Sequence, residues 1–296
     1  MDAIDTMIGM GRETIDMIVD AGSFVENGIP GFTLPCADYG PGAVVGSAKM
    51  DGRVCTIVAN DAMPSNPRFP VVTSGIIGME EGYKMAMAVY RSIEADAGKP
   101  LADKRPLLLI VDTPGNGPGK VEEIVGMNKA TGAYQLALAE ARKSGHPVLA
   151  IVIGRAISGA FLCHGLQADQ ILSLSDKYGT MIHVMPLTSI ARITKQDIEK
   201  LTALSKTNPV FAAGPEFFFR LGGVEEIIEA PDAIRDCVLK HIDEIYRLKA
   251  ERQTDRLGPW GRGELGEERG GRVTRKAVMQ RMNEQFAAVA DRYLRA

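Results

Sequence analysis

A short stretch between two apolar runs holds the residues best suited to chemistry in this 296-residue chain. It reads GRAISGAFLCHG over residues 154–165, after the run VLAIVI and before ADQILSLSD. A turn from a buried strand into a helix can hold a phosphate, expose a nucleophile, or direct backbone N–H groups at a reacting oxygen. These three kinds of chemistry need different residues, so the residues of the turn discriminate between them.

Phosphate binding fits the turn poorly. A Walker loop needs Lys and Ser or Thr after its second glycine, whereas Ala160 and Phe161 follow Gly159. The upstream sequence GNGPGKV has Val121 where the Ser or Thr would stand, and Pro118 has no backbone donor. No G-x-G-x-x-G in the sequence matches a Rossmann turn. The sequence therefore argues against a nucleotide site.

The other two kinds of chemistry depend on Ser158 and the residues after it. Ser158 lies between Ala156 and Ala160 and so departs from the G-x-S-x-G pattern of a nucleophile. We expect Ser158 to cap the following helix instead. Gly159 and Ala160 have little side chain to block an approaching group, and free N–H groups at a helix start can stabilise an oxyanion. Small residues can equally serve close packing, and both interpretations remain open.

Composition and charge exclude several classes of function. The chain is 45% hydrophobic with a net charge of −3, which gives no electrostatic basis for nucleic-acid binding. No apolar run approaches the ~20 residues of a membrane span, and the N-terminus does not resemble a secretion signal. The four cysteines form no CxxC pair, which favours free thiols and a cytoplasmic location. Cys163 and His164 are adjacent and diverge on a helix, so we expect no metal site.

The surrounding pattern predicts an α/β fold with a mainly parallel sheet. The runs LLLIVD (107–112) and VLAIVI (148–153) are continuously apolar, as is typical of strands covered on both faces. A helical spacing of apolar residues lies between them. Upstream, AVVGSAKM and RVCTIVAN flank Asp51-Gly52, which predicts a β-hairpin. Repeated strand–helix–strand units place helices around the sheet.

Composition also divides the chain into four parts. Residues 1–42 are rich in Gly and Pro and are interpreted as a loop-rich lead-in. Residues 43–257 hold the α/β pattern. Residues 258–272 read GPWGRGELGEERGGR, which predicts a flexible linker. Residues 273–296 form an amphipathic terminal helix that we expect to dock on this domain or on a partner.

The order of these motifs resembles the crotonase superfamily, and its carboxyltransferase branch most closely. The similarity lies in the strand with VDTPG (111–115), the small-residue turn and the following A-D-x-x-L-x-x-S. DGRVCTIVAND (51–61) and GSFVE resemble the hairpin and the entry segment of acyl-CoA carboxyltransferases. The resemblance implies a crotonase-like fold of ββα-type spiral units, with a mainly parallel sheet and surrounding helices.

Within this branch, the chain is most similar to the gamma subunits of malonate decarboxylases, over roughly residues 40–250. The similarity includes the long segment 145–169, which contains the turn. The other similar segments are NPRFP (66–70), GMEEGYKMA (78–86), GTMIHVM (179–185) and SIARITKQDIEKL (189–201).

This resemblance implies one half of a two-subunit carboxyltransferase-like unit. A beta subunit supplies most of the acyl-thioester pocket, and together the subunits convert a malonyl thioester on an acyl carrier protein into an acetyl thioester. The substrate hangs on the prosthetic thiol of the carrier, and this chain itself is expected to bind no cofactor. The loop TPGNGPG (113–119) looks more like that of biotin-handling carboxyltransferases. One alternative is therefore carboxyl transfer to a biotin carrier protein, and another is a non-catalytic scaffold.

The resemblance also implies roles for individual residues. Loss of a carboxylate leaves an enolate, so Gly159 and Ala160 are expected to supply N–H donors, and the Gly115-Asn116 backbone a second wall. The alternative is that these donors face the departing carboxylate or a biotin ureido oxygen, while the partner subunit holds the enolate. His164 is a candidate proton donor, with a core histidine bonded to a carbonyl as the alternative.

Three further residues are expected to contact the substrate, namely Ser158, His183 and Arg155. His183 could also face away from the site. Arg155 could grip a carboxylate with two parallel hydrogen bonds, and the alternative is a surface ion pair.

Overall fold

One eight-stranded sheet organises the computed structural model, which describes residues 5–117, 119–185, 187–205 and 213–294. The strand order is β1-β2-β3-β4-β5-β6-β8, and β7 pairs with β5. The first three strands are antiparallel, and every later pairing is parallel. The strands are β1 (Val25–Glu26), β2 (Ala43–Met50), β3 (Arg53–Asn60), β4 (Leu107–Thr113), β5 (Val148–Ile157), β6 (Gln170–Leu174), β7 (Met181–His183) and β8 (Glu226–Ile228).

Helices cover both faces of this sheet, as the apolar runs predict. Every residue of β4 is buried, because its alternate side chains enter two separate hydrophobic clusters. Helices α2 and α4 pack on one face, and α1 and α9 on the other. The helices are α1 (Gly11–Ile18), α2 (Met79–Ala95), α3 (Lys120–Val125), α4 (Met127–Lys143), α5 (Ser158–Cys163), α6 (Leu187–Thr194), α7 (Ile198–Ser205), α8 (Pro215–Arg220), α9 (Ile234–Ala250), α10 (Gly258–Glu268) and α11 (Arg275–Ala287).

The predicted hairpin is confirmed. Met50 pairs with Arg53, and the two residues between them are Asp51 at φ 50° and Gly52 at φ 72°. Two successive residues with positive φ match the twist of the flanking strands, and Asp-Gly tolerates this conformation well.

Strand β5 runs four residues further than its apolar run predicts. It pairs with β6 over residues 149–152 and then with β7 over residues 155–157. Because β5 changes its partner strand, Arg155 and Ala156 pair with residues of β7, which the local sequence does not predict. Because β3, β4 and β5 are parallel, all three strands end at the same edge of the sheet, at Asn60, Thr113 and Ile157. Open α/β sheets place ligands at this edge.

The prediction of a flexible linker over residues 258–272 is wrong, because α10 occupies most of it. Its glycines serve close packing: a Cβ at Gly261 would lie 2.1 Å from the Arg256 carbonyl oxygen, and one at Gly266 would lie 2.2 Å from that of Leu221. Arg262 is buried and donates a 2.8 Å hydrogen bond to the Ala168 carbonyl.

The two ends of the chain differ in how they join the sheet. Within residues 1–42, α1 packs against the sheet and β1 pairs with β2, so this part is joined to the main domain. The C-terminal helix forms as α11, but none of its residues is buried, and Val278, Met282 and Phe286 stay exposed. No helix in the described ranges is long and apolar enough to cross a membrane.

Candidate active site

The turn at the end of β5 is strained. Ser158 has a φ of 57°, in the left-handed region that residues with a Cβ rarely adopt. The residue before the helix is Ile157, and no side chain caps α5, so the predicted cap at Ser158 is wrong. Ser158 is exposed at the surface. A strained turn of this kind at a sheet edge is typical of functional sites.

The two backbone donors of the turn have no hydrogen-bond acceptor among the described residues. An α-helix pairs each N–H with the carbonyl four residues earlier, so Gly159 and Ala160 in the first turn of α5 have no helical acceptor. No hydrogen bond joins these two N–H groups to any other described segment of the chain. Gly159 is half-buried, whereas Ala160 is fully buried.

The loop after β4 forms a second wall, and its polar groups differ in whether they have hydrogen-bond partners. Gly115 has both of its backbone groups engaged: its N–H donates to Thr113 Oγ1 at 3.3 Å, and its carbonyl accepts from Ile77 N–H at 3.1 Å. Asn116 differs, because its Oδ1 is buried without a hydrogen-bond partner in the described chain. Its Nδ2 lies 3.1 Å from the position of a Cβ on Gly159. The structure thus brings the two predicted walls together through the Asn116 side chain.

His164 lies in the core, with no exposed surface. Its Nε2 is 2.9 Å from the Ile110 carbonyl oxygen, to which it donates, and its Nδ1 is 2.9 Å from the Tyr134 hydroxyl. Burial lowers the pKa of His164 to about 4, so the ring is neutral at pH 7. With both nitrogens engaged and no access to solvent, His164 matches the core alternative and is unsuited to donating a proton to a substrate.

His183 lies beside the turn. It pairs with Ile157 in the register of β7 and β5, so its Cα is about one strand spacing, roughly 4.8 Å, from that of Ile157. The side chain is half-buried, and its Nδ1 is buried without a partner among the described residues. Burial lowers the pKa of His183 below its usual range. Of the two candidate histidines, His183 is the one with exposed surface near the turn.

Arg155 is engaged inside the protein. Its Nε donates to Asp112 Oδ1 at 2.8 Å, and its Nη2 donates to Asp112 Oδ2 at 3.1 Å. The same Nη2 donates to the Ser74 carbonyl at 2.9 Å. Arg155 therefore forms an ion pair, as the alternative predicts, but the pair is largely buried and not at the surface. The predicted grip on a substrate carboxylate is not supported. Asp112 was not singled out from the sequence, although it is the acidic residue of the VDTPG motif.

The remaining polar candidates have structural roles. His241 lies between Gln170 and Glu226, at 2.7 and 2.9 Å, and His146 Nδ1 is 2.9 Å from a backbone carbonyl oxygen. The Tyr178 hydroxyl donates to the Glu229 carbonyl. Across the part of the chain that the structure describes, no cluster of His, Cys, Asp or Glu could hold a metal ion.

Three segments near the turn or the Asn116 loop carry exposed apolar side chains. Helix α3 follows the Asn116 loop, and Leu162 belongs to the helix that the turn begins. Val184 follows β7. The exposed apolar side chains of these three segments are Val121, Ile124, Val125, Leu162 and Val184. Exposed apolar side chains of this kind are suited to burial against a partner chain.

Comparison with known proteins identifies the family. Residues 73–286 match the malonate decarboxylase gamma subunit family. The chain is 66% identical to the malonyl-S-ACP:biotin-protein carboxyltransferase of Malonomonas rubra, over 98% of this chain and 100% of that protein. The chain belongs to the malonate decarboxylase gamma subunit family. Its crotonase-like fold and its carboxyltransferase character follow from this membership.

Solved structures of the family agree with the fold. A Pseudomonas malonate decarboxylase hetero-tetramer in complex with coenzyme A contains a chain of 32% identity and TM-score 0.72, with 85% of this chain and 94% of that chain covered. A Pseudomonas MdcD–MdcE hetero-dimer contains one of 32% identity and TM-score 0.64, with 77% and 94% covered. The family resemblance and the α/β fold expected from the sequence are confirmed.

Proposed function

We propose that this chain acts with a beta subunit to remove the terminal carboxylate of a malonyl thioester carried on an acyl carrier protein. The observation that carries this proposal is the 66% identity to the Malonomonas rubra carboxyltransferase along its whole length. The Pseudomonas hetero-dimer supports the need for a second subunit. The exposed apolar side chains around the turn are suited to such a partner, which would close the site from the opposite face.

Backbone donors carry the chemistry in this proposal. When the C–C bond to the carboxylate breaks, its electron pair stays on the thioester and forms an enolate. The N–H groups of Gly159 and Ala160 stabilise this negative charge without first breaking an internal bond. Removal of one such donor typically costs ~10²–10³ in rate. The Asn116 carboxamide supplies the opposing wall, in place of the Gly115 N–H, which is engaged with Thr113.

A proton must replace the lost carboxyl group if the product is an acetyl thioester. We assign this role to His183, since His164 is buried and bonded at both ring nitrogens. The lowered pKa of His183 makes its protonated form a ready donor. Ser158, exposed beside His183, would contact the substrate.

The carboxyl group has two possible fates, and the relative favours one. The Malonomonas rubra protein is named as transferring the carboxyl group to a biotin protein. We infer that the same acceptor, a biotin carrier protein, serves this chain: a biotin ring nitrogen loses its proton and forms the new C–N bond, and that proton replaces the carboxyl group on the thioester carbon by way of His183. Biotin belongs to that carrier, and this chain needs no cofactor of its own. A cytoplasmic location stays a prediction, supported by four unpaired cysteines.

Reconstitution tests the proposal. The purified chain and its beta subunit are mixed with malonyl-S-carrier protein, with and without the biotin protein, and acetyl thioester and carboxybiotin are measured. We expect acetyl thioester and carboxybiotin in equal amounts when the biotin protein is present, and little turnover without it. An intact complex that forms neither product with the biotin protein present would overturn the proposal. Acetyl thioester and free CO₂ at an unchanged rate with the biotin protein present would overturn only the assignment of the acceptor.

A further inference from the structure

Asp112 is a buried junction at the carboxyl end of β4. Only 1% of its surface is exposed, and its carboxylate accepts four hydrogen bonds. One comes from the Gly9 N–H at 2.7 Å, and the other three come from Arg155, through its backbone N–H at 2.8 Å, its Nε and its Nη2. Asp112 therefore joins the N-terminal segment to the ends of two neighbouring strands.

Arg155 extends this junction to a third loop. Its Nη2 also donates to the carbonyl of Ser74 at 2.9 Å. Three residues further on, Ile77 exchanges hydrogen bonds with the Asn116 loop, donating to the Gly115 carbonyl at 3.1 Å and accepting from Gly117 N–H at 2.8 Å. The loop that holds Asn116 thus begins just after Asp112, and it bonds to a segment that Arg155 anchors at Ser74.

The packing around this junction leaves no space for additional atoms. A Cβ on Gly154 would lie 2.6 Å from Asp112 Oδ1, and one on Gly75 would lie 2.6 Å from the Asp112 carbonyl oxygen. Such contacts would force a shift of backbone or of the carboxylate. The glycines therefore allow three segments to approach one side chain.

We propose that Asp112 and Arg155 form a positioning pair that sets the separation between Asn116 and the Gly159 turn. Arg155 lies three residues before Ser158, whose left-handed backbone persists only if the surrounding structure holds it. The pair acts through the two walls and does not touch the substrate. This inference rests on the proposed function, because it concerns the same site.

Stability alone is a weak explanation of the pair. Burying two charges costs desolvation energy that their attraction roughly repays, so a buried ion pair adds little net stability. A second pair of the same kind allows a direct comparison. Arg105 binds Asp96 through Nε at 3.0 Å and Nη2 at 2.8 Å, and both side chains are buried. Arg105 precedes β4, so this second pair lies at the opposite end of that strand from Asp112.

The test compares Arg155→Lys with Arg105→Lys in the assembled two-subunit enzyme. Lysine keeps the charge and loses the planar fork that binds both carboxylate oxygens. We expect Arg155→Lys to lower kcat about 10–100-fold with KM for the malonyl thioester within about twofold, since small displacements of reacting groups carry penalties of this size. Arg105→Lys should lower Tm and leave kcat within about twofold. Hydrogen exchange at the Gly117 amide should accelerate only in Arg155→Lys.

An unchanged kcat in Arg155→Lys, or an equal loss in Arg105→Lys, would overturn the positioning role. A raised KM at constant kcat would also overturn it, because that pattern indicates direct substrate binding. If Arg155→Lys does not fold, Asp112→Asn provides the same comparison. A wild-type complex without turnover would overturn the proposed function and this inference together, whereas wild-type turnover with a fully active Arg155→Lys overturns the inference alone.

Discussion

The Asn116 side chain lies directly over Gly159: its Nδ2 is 3.1 Å from the point where a Cβ on Gly159 would stand. The two residues come from the ends of adjacent parallel strands, β4 and β5. A side chain at position 159 would therefore push Asn116 and cover the free N–H groups of the turn. Glycine at this position keeps a donor and a carboxamide within reach of the same small group.

Gly159→Val should abolish most of the activity without preventing assembly. The added methyl groups would displace Asn116, and we expect a loss in kcat of at least ~10²-fold. The matched control is Gly132→Val, because Gly132 is helical and exposed and a Cβ there meets nothing within 4 Å. Turnover is measured on complexes purified by size. If Gly159→Val assembles and turns over normally, the chain is a scaffold.

Ser158→Gly should stabilise the protein. A left-handed backbone destabilises a residue with a Cβ by about 1–2 kcal/mol. Glycine lacks this penalty but loses more backbone entropy on folding. We expect the free energy of unfolding to rise by about 0.5–1 kcal/mol. Ser144→Gly is the control, since Ser144 is exposed at φ −76°. Denaturant unfolding measures both, and a clear loss of stability in Ser158→Gly would disprove the strain at this position.

The buried His164 should make the protein less stable in acid. Its pKa is about 4 in the folded state and 6.5 when unfolded, so below pH 6.5 the unfolded chain binds a proton that the folded chain does not. Stability is therefore lost as pH falls from 6.5 to 4, by about 3 kcal/mol from this residue. The slope of unfolding free energy against pH should be smaller in His164→Gln. An identical slope would show that His164 titrates alike in both states.

His183→Gln should lower the yield of acetyl thioester. Glutamine can donate a hydrogen bond but transfers no proton, and general acids typically contribute 10²–10⁴-fold. Because the pKa of His183 is lowered, kcat of the wild type should rise as pH falls from 7 towards that pKa, and the variant should lose this dependence. His241→Gln, at a structural histidine, serves as the control. A wild-type pH profile in His183→Gln would remove His183 from the mechanism.

Local sequence predicted the parts of the fold that depend on local pattern. The apolar runs of β4 and β5 and the Asp51-Gly52 hairpin are confirmed, because burial on two faces and positive φ each have a compositional signature. Helix α10 was missed for the opposite reason. Its glycines suggest flexibility in isolation, and only contact with Leu221 and Ala168, distant in sequence, shows why they are needed.

The candidate site shows the same limit. The sequence predicted that the turn and the Asn116 loop lie together, since parallel strands end at one edge of the sheet. It assigned Arg155 and His164 to the substrate because the sequence of a motif does not show whether its arginine or histidine is exposed or buried. The partners that decide their roles, Asp112 and Ile110, lie more than 40 residues away along the chain.

The most direct test of the central claim removes the Gly159 N–H itself. Replacing Gly159 by glycolic acid converts its amide to an ester, which keeps the shape of the turn and deletes one donor. The control replaces Ala168 by lactic acid, which deletes a donor bonded to Gly165 at 2.9 Å. With beta subunit, malonyl-S-carrier protein and the biotin protein, we predict a ~10²–10³-fold lower kcat for the Gly159 ester and a nearly normal kcat for the control. Wild-type turnover by the Gly159 ester would contradict the account.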